Sequence, residues 1–279
     1  MKTLLIPVDF TSTSDNASEF ALAWSRNFEY DHIILLRSFY SSFYENALLT
    51  TEYVDVSQER RRNEMEMFRH RRKEFLDQSD PGVKVSIATS EEPLLRSIID
   101  ILENEKVDLI VLGSDHFGHS DNSFISSRIV EIAKVSPVNV LIVPSICTYQ
   151  SVHKVLVPVD IQAVGLLERL ERFGTKSTRW FDKELMILHV ATKENDPLRD
   201  EAFKRYENNL HSHLKNFRHE VYYANNKNIL NGILHFLNEH PVDLVVALPG
   251  RHSFLYSLTH KSISEALYRG IPKPVLILK

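Results

Sequence analysis

Lys2-Thr3-Leu4-Leu5-Ile6-Pro7-Val8-Asp9 opens the chain, and Lys154-Val155-Leu156-Val157-Pro158-Val159-Asp160 restates it near the middle. Two further pairs follow in the same order. Val107-Asp108-Leu109-Ile110-Val111 returns as Val242-Asp243-Leu244-Val245-Val246, and Pro137-Val138-Asn139-Val140-Leu141-Ile142 returns as Pro272-Lys273-Pro274-Val275-Leu276-Ile277. The first pair is 151 residues apart and the other two are 135 apart, so the second copy is 16 residues shorter. The natural place for the loss is 39–57, whose counterpart after Val190 is brief. Three ordered matches make an internal repeat, which decides the architecture before any local reading. Two domains are expected, 1–145 and 153–279, joined by a short polar linker over 146–152 and packed against each other.

Within the first copy the apolar runs 3–8, 32–38, 83–88, 107–112 and 138–143 read as strands. They are rich in Val, Ile and Leu without strict alternation, the pattern of strands buried on both faces of a parallel sheet. Between them lie helical periods. Ala17, Phe20, Ala21, Trp24 and Phe28 fall on one face of a helix that should start after Ser14 or Asp15, and Leu94, Leu95, Ile98, Ile99 and Leu102 repeat the pattern. Alternating strands and helices predict a doubly wound α/β fold in each copy. Ligands of such sheets bind beyond the carboxyl ends of the strands, where the strand order reverses. If the first and fourth strands flank that point, Asp9 and the loop after Gly113 build the site, with Asp160 and the loop at Leu248 as their equivalents.

The first copy, from Ile6-Pro7-Val8-Asp9 through Leu112-Gly113-Ser114 to Ser127 and the 137–142 run, resembles a universal stress protein domain over its whole length. The second copy is similar, with Ala247-Leu248-Pro249-Gly250 in place of the glycine turn. The resemblance implies a five-stranded parallel sheet of order 3-2-1-4-5 in each domain and pairing of the domains through their last strands as a pseudo-dimer. For one branch of that family it also implies ATP binding through Gly-x-x-Gly, nine residues, then Gly-Ser or Gly-Thr. Glycines let backbone amides approach the phosphates, and a helix start with a hydroxyl completes the anion site.

Mapped from Gly113, the second and third glycine positions here hold His116 and Ser126, with Ser127 as the hydroxyl. Counted back from Ser262, the second copy holds Leu248, Arg251 and Lys261. One glycine of six is present, so the motif is degenerate. The resemblance assigns possible ATP and magnesium binding in the first domain to Asp9, Gly113, Ser114, Ser126 and Ser127, and a degenerate remnant in the second to Asp160 and Ser262. The alternative is that Asp9 and Asp160 cap the helices that follow them, and that Ser127 is a surface helix residue.

A net charge of −4 and a pI near 6.4 argue against nucleic acid as a partner. No apolar run approaches a membrane span, and the first residues turn polar at Asp9, too early for a signal-peptide core. A cytoplasmic protein is expected. The single cysteine, Cys147, cannot form an internal disulfide and has no histidine partner for nucleophilic chemistry. His116-Phe117-Gly118-His119 matches the His-x-Gly-His signature of adenylyl-transferring enzymes, but it follows the fourth strand rather than the first. The histidines suggest no metal site: His211 and His213 are two apart on a predicted helix, and His235 and His240 lack partners at ligand spacing. The arginines of 60–62 and 69–72 interleave with Glu59, Glu64, Glu66 and Glu74, which reads as a salt-bridged helix face.

These readings point to a non-enzymatic stress-response protein that works by binding and assembly, with at most weak nucleotide binding in the first domain. The alternatives are an ATP-binding or slowly ATP-hydrolysing switch at that site, and a nucleotidyl transferase using His116 and His119. The aromatics Phe39, Tyr40, Phe43, Tyr44 and Tyr53 in the longer segment of the first copy suggest a homodimer of tandems, since large exposed apolar patches are uncommon.

Overall fold

The computed structural model describes residues 1–40, 51–115, 125–159, 168, 170–171, 178–191, 201–248 and 270–279, with the side chains of 51–58, 60, 127 and 201–204 outside that description. Ten strands form one sheet. They are β1 (Thr3–Pro7), β2 (His32–Ser38), β3 (Lys84–Ser90), β4 (Leu109–Ser114) and β5 (Asn139–Pro144), then β6 (Lys154–Val159), β7 (Glu184–Ala191), β8 (Arg218–Asn225), β9 (Leu244–Ala247) and β10 (Val275–Ile277). The spatial order is β3-β2-β1-β4-β5-β10-β9-β6-β7-β8. Each half is therefore a parallel 3-2-1-4-5 sheet.

The halves meet along one antiparallel seam, where Val275, Leu276 and Ile277 of β10 face Ile142, Leu141 and Val140 of β5. Pairing the two last strands removes an apolar edge that would otherwise present open amides and carbonyls. Among the described strands β3 and β8 remain as edges. Contacts outside the sheet reinforce the seam. Lys279 donates its amide to Asn139 Oδ1 at 3.0 Å and Arg179 pairs with Glu29 at 2.8 Å. Trp180 packs on Phe28 with ring centroids 5.0 Å apart.

Six described helices flank the strands: α1 (Ser12–Phe28), α2 (Thr51–Gln78), α3 (Leu94–Asn104), α4 (Ile129–Val135), α5 (Glu201–His213) and α6 (Ile229–Glu239). Alternate residues of each strand feed two separate cores. Leu4, Ile6, Val111, Val155 and Val157 join α1, α2 and α5 residues on one face, while Leu5, Ile110, Leu112, Leu156 and Val245 join α3, α4 and α6 residues on the other. Burial on both faces explains why the strand sequences are continuous apolar runs.

Helix α1 begins at Ser12, earlier than its apolar period suggests, because Thr11 is the cap: its hydroxyl accepts from the Ser14 amide. The strands β3, β4 and β5 run one or two residues past the expected ends, so Ser114 and Pro144 still belong to the ladder. The length difference between the copies falls between β2 and β3, where 45 residues separate the strands against 26 between β7 and β8. The charges of α2 do not pair only along its own face. Arg37 of β2 holds Glu64 at 2.6 Å, Arg71 holds Asp15 at 2.6 Å, and Arg61 reaches Glu91, so α2 is fastened to the elements around it. Among the described residues no helix is long and apolar enough to cross a membrane.

Candidate functional site

The aspartate at the centre of the motif Val-Asp-Leu does the same work in both halves. Asp108 accepts the Thr3 amide at 2.8 Å and returns its own amide to the Thr3 carbonyl. Asp243 accepts the His153 and Lys154 amides, each at 2.8 Å, and donates its amide to Lys154. Each carboxylate seals the start of the central strand against its neighbour, which fixes how far the opposite, carboxyl ends of the strands project.

At those ends Asp9 follows β1. Its Oδ1 accepts from the Thr11 amide at 3.2 Å and the Thr11 hydroxyl at 2.7 Å, and its Oδ2 accepts from the Ile125 amide at 3.3 Å. Asp9 thus supports the capping residue rather than capping α1 itself, and ties the β1–α1 turn to the segment after β4. Phe10 takes φ of 59°, a left-handed conformation uncommon for an aromatic residue. It is held there by edge contact with Phe68, centroids 6.1 Å apart, and by the Arg37 guanidinium 5.7 Å from its ring.

Gly113 closes β4. A Cβ built on it would lie 2.5 Å from the Thr13 carbonyl oxygen and 3.1 Å from Ala17 Cβ. The glycine is required by the close approach of α1 to β4. The next residue, Ser114, is wholly buried, and its hydroxyl has no partner among the described residues. Asp115, absent from the residues that the motif singles out, is a buried carboxylate that accepts from the Thr13 hydroxyl at 2.8 Å. Its amide donates to Ser126 Oγ at 2.9 Å, closing the loop between β4 and the short 3-10 turn Ser126–Arg128. The only signal for Asp115 in the sequence is its place directly after Gly113-Ser114; Thr13 lies 102 residues away and gives none.

The structure therefore brings Asp9, Gly113, Ser114 and Ser126 to one end of the sheet, with the backbone of Ser127 in the same 3-10 turn. Asp160 and Ser262 lie outside the described residues, as do His116 and His119 of the transferase reading and Phe43 and Tyr44. In the second half Leu248 stands at the Gly113 position and is buried, its side chain in the same core that α1 joins in the first half.

Beside this cluster a cavity of about 360 Å³ opens at the ends of β2 and α3. Arg37, Ser38, Pro93, Leu94, Arg128 and Glu131 line it. Pro93 precedes α3 without a side-chain cap, leaving the positive end of the helix dipole at the cavity. The two arginines face carboxylates already, Arg37 with Glu64 and Arg128 with Glu131 at 3.0 Å. In the first turn of α1 the Asp15 carboxyl is pushed above its usual range by burial, against the downward pull of Arg71, and neighbouring Glu19 and Asp9 push the same way.

Cys147 is half-buried and its thiol donates to the Pro272 carbonyl at 3.4 Å. Burial pushes it up to about 11, so it stays protonated and is a poor nucleophile. Among the described residues no group of three histidine, cysteine or acidic side chains is placed to hold a metal ion.

The profile of the "Universal stress protein family" matches residues 1–144. Among solved structures, a universal stress protein from Archaeoglobus fulgidus is 17% identical with a TM-score of 0.64, over 99% of this chain and 98% of its own. A Pseudomonas aeruginosa protein provisionally assigned to the same family is 14% identical with a TM-score of 0.55, over 100% of this chain and 93% of its own. At these identities the likeness is one of fold. No curated protein matches the chain. The family match spans more than half the sequence, and it falls on the half whose strand order, β1 carboxylate and β4 glycine have just been described: the chain belongs to the universal stress protein family.

Proposed function

We propose that this chain is a non-enzymatic stress-response protein of the cytoplasm that acts by binding and assembly, with at most weak nucleotide binding in the first half. Its working unit is the pair 1–145 and 153–279, joined through 146–152 as an internal pseudo-dimer. Pairs of such chains assemble further through the longer segment of the first half. The observation that carries the reading is the internal use of the site's own polar groups. Both Asp9 oxygens and the Ser126 hydroxyl are engaged in holding the two loops together. A nucleotide would have to break those bonds before making its own.

Electrostatics support the same conclusion. Asp9, Asp15 and Asp115 gather near the carboxyl edge, where the phosphates of a triphosphate would bring further negative charge. In the sequence His116 and Ser126 stand where the family's ATP-binding branch has glycines, and side chains at those positions would crowd the phosphates. Losing two amide contacts to the phosphates, at roughly 1.5–3 kcal/mol each, weakens binding by about a hundredfold or more.

Titration calorimetry of the full chain with ATP and magnesium tests this. The expected dissociation constant is weak, on the order of 0.1 mM or higher, and sensitive to Asp9→Ala. Submicromolar binding, or adenine nucleotide released by heating the purified protein, would overturn it.

A second reading has one observation in its favour. The cavity at β2 and α3 is within the roughly 300–1,000 Å³ range of small-molecule sites, and it joins a helix start to two arginines. An ATP-dependent switch would use it together with Asp9, Gly113, Ser114, Ser126 and Ser127. Steady phosphate release lost on Arg37→Ala would favour that reading over the first.

A further inference from the structure

His211 lies in the last turn of α5 and His219 is the second residue of β8, with a tight turn between them closed by the Phe217 amide on the Leu214 carbonyl. The turn brings the two imidazoles together with their planes 38° apart, His211 Nδ1 standing 2.7 Å from His219 Nε2. Their outer nitrogens are engaged elsewhere. His219 Nδ1 is 2.9 Å from the Phe217 carbonyl, which can only accept, so this nitrogen carries a proton and Nε2 presents a lone pair. His211 Nε2 faces Glu207 Oε1 at 3.8 Å, and Glu207 also accepts from the Tyr223 hydroxyl.

The protons decide what the pair can do. If His211 is neutral and donates from Nδ1 to His219, its Nε2 has no proton and turns a lone pair toward the Glu207 carboxylate. With the proton on Nε2 instead, His211 Nδ1 and His219 Nε2 turn two lone pairs toward each other at 2.7 Å, which a cation held between them would relieve. Two inward lone pairs, with one outer N–H bonded to a backbone carbonyl and the other facing a carboxylate 3.8 Å away, approach the outer-shell pattern of metal-ligating histidines. We propose that His211 Nδ1 and His219 Nε2 form a two-histidine site for a borderline transition-metal ion such as Zn²⁺ or Cu²⁺. Imidazole nitrogens suit these ions, and water completes the coordination because no third protein ligand is at hand among the described residues. Two bonds of about 2.0–2.1 Å at a tetrahedral angle place the nitrogens roughly 3.3 Å apart. The rings must therefore part by about 0.6 Å. His211 is about half exposed on a helix end and can do so.

The site joins the end of a helix to an edge strand, so a bound ion would fasten α5 to β8. The test uses the full chain and the metal alone. Titration with Cu²⁺ followed by electron paramagnetic resonance should show about one ion per chain, bound in the micromolar range with hyperfine splitting from two nitrogens. Calorimetry with Zn²⁺ should give the same stoichiometry. His211→Gln and His219→Gln should each weaken binding by roughly tenfold or more and reduce the copper signal to one nitrogen. His235→Gln, an exposed histidine paired with Glu239, should leave both readouts unchanged. No binding by the unaltered chain would show that the two rings share only a proton and overturn the proposal. Binding that survives both substitutions would place the ion elsewhere and overturn it equally.

Discussion

The two halves of this sheet share one topology and differ at the place where topology puts a ligand. At the end of β4 the first half has Gly113, and the Thr13 carbonyl of α1 occupies the space a side chain would need. At the end of β9 the second half has Leu248, whose side chain is itself buried there. Backbone lies against the strand end in one half and a leucine in the other. The clamps at the opposite end, Asp108 and Asp243, are nearly superposable in function. The clamp at the strand starts is present in both halves, and the packing at the strand ends differs between them.

The sharpest way to break this comparison is to exchange the two residues. Gly113→Leu should be the most damaging substitution, since even its Cβ meets a backbone carbonyl that cannot rotate away. Overpacking of this kind costs about 1–3 kcal/mol or more, and the leucine should leave the protein largely insoluble. Gly113→Ala keeps the test measurable by urea unfolding. In the second half Leu248→Ala should cost about 2–5 kcal/mol through lost burial and the cavity left behind. If Gly113→Ala is neutral, the glycine is not there for packing, and the approach of a ligand becomes its best explanation.

A smaller effect sharpens the claim of equivalence. Asp108→Ala and Asp243→Ala each remove a charge-assisted acceptor from a partly buried amide, of Thr3 and Lys154 respectively, and should each cost about 1–2 kcal/mol. Asp243 serves two amides and Asp108 one, so the second-half substitution should be the costlier. A loss in one half alone, seen as unequal urea midpoints well beyond this difference, would mean the repeated motif has unequal structural weight.

The strands were legible because a parallel strand covered on both faces has to be apolar throughout, and the repeat then gave both halves at once. The start of α1 was hidden because Thr11, Ser12 and Thr13 look like a polar turn until the Thr11 hydroxyl is seen on the Ser14 amide. Gly113 stood out in the sequence, but its reason did not: a glycine needed by a phosphate and one needed by a neighbouring helix read alike. The Asp115–Thr13 pair and the His211–His219 pair were invisible for a common cause. Each depends on two chain segments converging, over 102 residues in one case and across a turn in the other. Periodicity along one element cannot report either.

The smallest expected effect separates the halves by acidity. His32 begins β2, faces Thr3 of β1, and is almost wholly buried, with Nε2 2.6 Å from Ser86 Oγ and Nδ1 without a partner among the described residues. The corresponding residue of β7, facing Lys154 of β6, is Glu184, which is partly exposed. Burial, aided by the nearby charge of Lys84, holds His32 below the usual histidine range. The unfolded chain, with an ordinary pKa of about 6.5, takes up the proton first. Between that value and the lowered one the unfolded state binds more protons, so stability falls as pH falls through this window and is unaffected above it. The slope from one such group cannot exceed about 1.4 kcal/mol per pH unit. His32→Gln can keep a hydrogen bond to Ser86 while removing the titration. Urea midpoints for the unaltered chain should decline more steeply from pH 7 to pH 5.5 than those of the variant, and parallel declines would place the acid sensitivity at other histidines.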